Sequence, residues 1–380
     1  MTTPEVSAFE YRIGLLAPSR VGKSTLIASL LTEGQQMLAD SSVALRTADG
    51  HTTNRLAATH NMVTGALKAR VFEPKVVPPT SDPSYFRLLL EPRGQDLPIR
   101  FEILDYPGGW LERSPEGADQ AKWTECEHFL ADCSVLIVPV DSVLLMDAGE
   151  DHAHLLASHL AVFQIMQILQ QWAKNRRERP AEPALVVLCP VKCETYLSDS
   201  GSLQNHAGEL RERVIEQFSE VLGVVREAAP HAMIRYLPID TFGCVELVSA
   251  RWQPHEEAAG GVMLMPKYRV RPPAQIARKG LDDLISLLCR QLIDTARLQS
   301  EQTAAQRKIT ARHSREHADL REGFFRDLWL SFNGERARRE SLAERHKELY
   351  REAEQTKQSL FDVLATLSGR RPGPRLDHLS

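Results

Sequence analysis

The sequence predicts an α/β fold: a three-layer arrangement on a mostly parallel sheet with one antiparallel edge strand, extended by α-helices at the C-terminal end. Three observations predict it. Strand-like and helix-like stretches alternate over residues 8–298. Two strand-like runs are separated by a turn too short for a crossover. From about Thr303 the composition shifts to charged residues, with apolar ones at helical spacing. Alternation of this kind puts helices on both faces of a parallel sheet.

Phe9, Tyr11, Ile13 and Leu15 alternate with Glu10, Arg12 and Gly14, which is a strand pattern. A helix is expected over residues 25–31. Residues 34–83 then form a long connection holding one helix, 55–68, ended by Pro78 and Pro79. Strands at 85–90 and 99–104 flank Pro92-Arg-Gly-Gln-Asp and so pair as an antiparallel hairpin. There follow a helix over 116–130, a buried strand over 135–140, and an amphipathic helix with Leu155, Val162, Phe163, Met166 and Leu169 on one face. A strand at 185–188, a helix at 203–221, a strand at 234–239 and a helix at 281–298 complete the unit. The expected division is a core of residues 1–298, with a second insertion at about 242–275, a helical appendage over 299–368, and a loose tail over 369–380.

At roughly 150 residues per domain, 380 residues exceed one minimal domain. With 43% hydrophobic and 25% charged residues the chain is an ordinary folded one. Lys and Arg number 46 against 50 Asp and Glu, a net charge of −4, too even for a protein that coats nucleic acid. Cys126, Cys133, Cys189, Cys193, Cys244 and Cys289 show no C-x-x-C pairing, so reduced thiols are expected, not zinc. The opening residues lack a signal-peptide pattern, and no apolar run reaches the ~18 residues of a membrane span. The expectation is a soluble, cytoplasmic protein.

Between the first strand and first helix lies Ala17-x-x-x-x-Gly22-Lys23-Ser24. A loop of this form turns its backbone N–H groups inward onto phosphates, and needs a residue as free as Gly22 where the chain wraps closest. The candidate phosphate contacts are Ala17, Ser19, Arg20, Val21, Gly22, Lys23, Ser24 and Thr25. Lys23 brings an ammonium to the outer phosphates, and the Ser24 hydroxyl is a Mg²⁺ ligand. After the third strand comes Asp105-Tyr-Pro-Gly108-Gly109. Asp105 at a strand end can hold Mg²⁺ through a water, while Gly108 offers its N–H to the γ-phosphate.

These motifs, with the antiparallel second strand, resemble the Ras-like and dynamin-like GTPases of the TRAFAC class, P-loop NTPases, over about residues 8–298. Asp-x-Pro-Gly-Gly and the long first switch further resemble bacterial GTPases of that clade. The resemblance implies bound GTP or GDP with Mg²⁺. It implies a switch-one threonine, for which Thr80 is placed, with Thr52 and Thr53 as rivals; its hydroxyl would join Ser24 and Asp105 at the metal. It implies a base-reading motif, here Val191-Lys192-Cys193-Glu194. There Lys192 covers the purine and Glu194 accepts from guanine N1–H and N2–H. Glu is one methylene longer than the usual Asp, and Val191 lacks the polar group of Asn or Thr. It also implies a backbone N–H for guanine O6, with Thr241 as the candidate.

Gly109 stands where Ras-like enzymes carry a water-orienting Gln, so slow turnover is expected unless another group supplies the electrostatics. Arg20 holds the loop position of the arginine in guanylate-binding proteins, which the resemblance makes a finger that swings onto the phosphates upon dimerisation. The catalytic candidates are Arg20, Lys23 and Thr80. Residues 301–380 hold 16 Lys and Arg against 13 Asp and Glu, mixed in sign and unlike a polybasic anchor. Phe324, Phe325, Trp329 and Phe332 suggest packing or a docking face, so a protein partner or self-association through the switch loops and C-terminal helices is expected. The leading reading is a GTP-hydrolysing switch. The alternatives are a nucleotide-binding scaffold with little hydrolysis and a P-loop ATPase.

Overall fold

The computed structural model describes residues 10–70, 77–92, 99–256, 258–295, 297–298 and 362–379. Phe9 and the aromatic residues between 324 and 332 lie outside them. The order is β1 (Glu10–Leu15), α1 (Lys23–Met37), β2 (Val43–Thr47), α2 (Gly50–Lys68), β3 (Ser84–Pro92), β4 (Ile99–Asp105), α3 (Gly108–Glu112) and α4 (Ala118–Asp132). Next are β5 (Val135–Asp141), α5 (Ser142–Asp147), α6 (Leu156–His159), α7 (Val162–Arg177), β6 (Leu185–Val191), α8 (Ala207–Gln217), α9 (Ser219–Ala228) and β7 (Met233–Tyr236). A hairpin, β8 (Val245–Pro254) and β9 (Val262–Val270), precedes helices over residues 281–295 (α10) and 362–368 (α11), and β10 (Asp377–His378) ends the described chain.

Eight strands form one sheet in the order β10-β7-β6-β5-β1-β4-β3-β2. Strands β4, β1, β5, β6 and β7 run parallel. β3 runs against β4, as the short turn requires. The expected fold class is present with an added strand at each edge: β10 pairs outside β7, and β3 is not the edge, because β2 pairs outside it. That strand lies in the stretch expected as connection. Its five residues are only partly covered, so its alternation was too short to stand out.

Period-two alternation sends successive side chains of the central strands into two cores. Ile137, Val187 and Cys189 pack with α1 and α10 on one face. Leu136, Val138 and Leu188 pack with α4, α7 and α9 on the other. On that second face a Cβ at Gly14 would fall 2.5 Å from a Leu136 methyl, so β1 approaches β5 and α4 closely only as glycine. All six cysteines are buried and free.

Three local expectations change. Ala161 adopts a left-handed conformation (φ 51), breaking the helix expected through residue 155 and resetting its phase. The face of α7 that is buried is Ile165, Ile168, Leu169 and Trp172, and Phe163 is 59% exposed. The helix expected over 203–221 is two helices, parted at Phe218.

The third change concerns residues 369–379, expected as a loose tail. They are docked. β10 pairs antiparallel with β7, Leu379 is buried, and Leu364 and Leu367 of α11 join the core beside α10. The physical reason is apolar burial at both ends of the segment combined with the buried ion pairs of Arg375. Among the described residues no helix is long and apolar enough to cross a membrane.

Candidate nucleotide site

β1 leads into a loop whose apex, Arg20 (φ 64), and end, Gly22 (φ 111), are both left-handed. Gly22 caps α1, so the first N–H groups of that helix open into the loop. Lys23 folds back into this cradle. Its Nζ donates to Ala17 O at 2.7 Å and Pro18 O at 3.0 Å, and lies 4.9 Å from the Tyr106 ring centre. The side chain is buried, at 7% exposure, and burial lowers the ammonium to about 8 against the opposing pull of Asp105 and Glu112. An ammonium held by neutral carbonyls in a dry site is poised for an anion.

The loop after β4 rests directly on this cradle. A Cβ at Gly108 would overlap Ser19 N and lie 2.5 Å from Pro18 C, so only glycine allows the approach. Further along, the Ser19 N–H donates to Glu112 Oε1 at 2.7 Å. Sequence reasoning missed Glu112, which carries no motif of its own.

Ser24, Thr80 and Asp105 come together although they span 81 positions. Ser24 Oγ lies 2.8 Å from Asp105 Oδ2, and Thr80 Oγ1 lies 3.0 Å from that oxygen and 3.2 Å from Ser24 Oγ. Asp105 is fully buried, and its Oδ1 has no hydrogen-bond partner among the described residues. Two hydroxyls beside an orphaned carboxylate oxygen make an all-oxygen donor set of the kind Mg²⁺ takes. The rivals Thr52 and Thr53 lie elsewhere, Thr52 bonded to the Arg87 backbone and Thr53 to Thr47. Arg55 was also missed: from α2 its guanidinium reaches Asp105 Oδ2 at 3.1 Å, lending positive charge to the group.

Beyond the ends of β5 and β6, Lys192 (φ 58) donates to Arg20 O at 2.8 Å and pairs with Asp141 at the end of β5. Its stem thereby bridges the phosphate loop and the strand tips. Glu194 is 4% exposed and accepts long hydrogen bonds from Phe242 N (3.5 Å) and Gly243 N (3.4 Å). Burial first, then nearby Asp240, push its carboxyl up to about 8. Backbone N–H groups of Glu194, Gly243 and Phe242 pull the other way. Thr241 is buried in the same segment. Gly243 (φ 71) turns where a side chain would strike Ala277 O.

In the single chain the Arg20 side chain is engaged by the hairpin. Its guanidinium contacts Met263 Sδ and lies 3.3 Å from His255 Nε2, both on the β8–β9 hairpin. The reason is reach: the hairpin, pinned by Trp252 Nε1 donating to Ala148 O, offers acceptors beside the loop apex. The insertion expected near the base thus spans to the phosphate end.

The phosphate loop, the sheet order and the hydroxyl–carboxylate cluster define an α/β fold of the P-loop type. No protein-family model matches the chain, and no curated protein matches it. Solved structures show distant likeness. The S. cerevisiae Ski7 GTPase-like domain bound to GTP is 13% identical, covering 62% of this chain and 43% of that one, TM-score 0.32. Methanosarcina barkeri Roco2 bound to GDP is 11% identical, covering 61% and 43%, TM-score 0.24. Era in complex with MgGDPNP and a segment of 16S ribosomal RNA is 13% identical, covering 62% and 52%, TM-score 0.26. The chain spans about half the length of these proteins or less. With identities and scores this low, the likenesses carry no argument about activity.

Proposed function

We propose that the protein binds GTP and GDP with Mg²⁺ and hydrolyses GTP slowly as a switch. One observation carries this reading: Lys23 is buried against loop carbonyls within a cradle where Ser24, Thr80 and Asp105 converge. A triphosphate tail would replace the two carbonyls as partners of the ammonium and meet the N–H groups at the start of α1. Ser24, Thr80 and Asp105 are the residues that would hold Mg²⁺, which when bound neutralises charge on the β- and γ-phosphates. Lys192 lies over the purine, and Glu194 accepts its N1–H and N2–H.

In hydrolysis, water adds to the γ-phosphorus as its bond to the bridging oxygen breaks, yielding GDP and phosphate. Gly109 has no side chain to orient that water, and Arg20 is engaged by the hairpin, so turnover is slow until a partner or second copy frees Arg20. Calorimetry with GTP, GDP and ATP on wild type and Lys23→Ala tests the reading; undiminished binding by the variant would sink it. Gly109 also favours a second reading, a nucleotide-dependent scaffold. Phosphate release that is absent at every protein concentration would select it, whereas release rising with concentration selects the self-stimulated switch.

A further inference from the structure

The C-terminal segment reaches the stretch around Asp240, next to the proposed base-reading residues. Arg375 is 7% exposed in its side chain, and its guanidinium gathers three groups from two separate stretches, the neighbours Asp199 and Ser200 and the distant Asp240. Nη2 lies 2.9 Å from Asp240 Oδ2 and 2.6 Å from Ser200 Oγ, while Nε and Nη2 together grip Asp199 at 2.8 and 2.6 Å. The segment is anchored on both sides of this arginine by Gly373 N donating to Asp283 Oδ1 at 2.8 Å and by the β10–β7 pairing. Asp240 is fully buried and receives Ser200 Oγ and, at 3.2 Å, Cys193 Sγ. Among the described residues, Arg375 is the one cation within ion-pair distance of it.

Asp240 opens the stretch whose Phe242 and Gly243 N–H groups seat Glu194. Two buried carboxylates, Asp240 and Glu194, therefore share one region, and a single guanidinium offsets them. Glu194 already holds its proton to about pH 8, and without the guanidinium it would hold it to higher pH, because two unscreened carboxylates do not both ionise readily in a dry site. A protonated Glu194 offers one good acceptor oxygen where guanine presents two donors.

We propose that Arg375, arriving from the C-terminal segment, is a positioning residue for guanine recognition, holding Asp240 and through it the carboxylate of Glu194. This rests on the reading of Glu194 as the guanine acceptor. The other groups facing Glu194 do not replace the guanidinium. Cys193, Cys244 and Tyr268 are each pushed upward in pKa, burial being the largest cause, and none of them can carry a positive charge. Arg271 is committed to Ser200 O, Gly243 O and Glu246, and Lys192 to Asp141 and Arg20 O.

The test compares GTP with inosine triphosphate, which keeps N1–H and O6 but lacks the 2-amino group. The ratio of their affinities reads the Glu194 contact alone, since phosphate contacts and global stability cancel. At pH 9, where Glu194 is ionised in the wild type, GTP should be preferred by about tenfold or more, the worth of one charge-assisted hydrogen bond, and the preference should shrink toward pH 7. In Arg375→Gln this rise should move to higher pH, so that the ratio at pH 9 falls toward one. Adding Asp240→Asn should restore it at pH 9. An unchanged ratio at pH 9 in Arg375→Gln, or a loss that the second substitution does not repair, overturns the proposal. Should Arg375→Gln fail to fold, Arg375→Lys carries the test: it keeps the charge and should stay within threefold of wild type, and a collapsed ratio overturns the idea. A wild type that does not distinguish the two nucleotides at pH 9 overturns the guanine reading itself, a separate outcome.

Discussion

The two ends of the proposed site are built in opposite ways. At the proposed phosphate end, eight consecutive residues from Ala17 to Ser24 form the cradle, and backbone geometry does the shaping. At the proposed base end, Lys192, Glu194, the stretch from Asp240 and Arg375 come from three parts of the chain separated by tens to hundreds of positions. A contiguous loop carries its function as a local pattern. An assembled pocket depends on packing, and is correspondingly sensitive to changes far from the ligand.

Substitutions can break this contrast. Lys23→Ala should cost about a hundredfold or more in affinity for GTP, GDP and ATP alike, since a charge-assisted contact to phosphate is worth roughly 1.5–3 kcal/mol and several oxygens are involved; calorimetry measures it. Glu194→Ala should lose about tenfold or more for guanine nucleotides while leaving ATP unchanged. Equal losses for both bases would mean that the base end is not read by this carboxylate. Thr80→Ala should weaken GTP binding by about tenfold in Mg²⁺ and hardly at all in EDTA, because its hydroxyl faces Asp105.

A pH experiment sharpens the phosphate side. Lys23 is lowered from 10.5 to about 8 in the folded protein, so between these values the unfolded chain binds more protons and stability rises with pH. Burial of the charged amine is therefore a destabilisation fully present below pH 8, at most roughly 3 kcal/mol at about 1.4 kcal/mol per unit. Nucleotide-free Lys23→Met should be more stable than wild type at pH 7, and the gap should close as pH approaches 10.5. Denaturant melts of both proteins check this, and a gap that widens with pH would reverse the assignment. The smallest effect concerns the hairpin. Arg20→Ala should leave affinity within a few-fold of wild type, because the side chain contacts Met263 and His255, not the cradle.

How much the sequence disclosed follows the same contrast. The sheet class, the phosphate loop and Asp105 were legible because hydrophobic periodicity and a short motif are local signals. Thr80 was legible from its place just before β3. Arg375 was not, since nothing in Gly-Pro-Arg-Leu announces a partner 135 positions upstream. Arg55 and Glu112 likewise looked like surface charge on helices. The hairpin was visible as an insertion, but its reach to Arg20 spans 243 positions and arises only from folding.

Gly108 has a consequence for how the molecule senses its own contents. With a hydrogen in place of a side chain, one loop lies flush on the other, leaving no slack to absorb a displacement of the peptide at Pro18 and Ser19. A ligand that displaced that peptide would therefore press directly on the strand-end loop and on the helix carrying Trp110 that begins there.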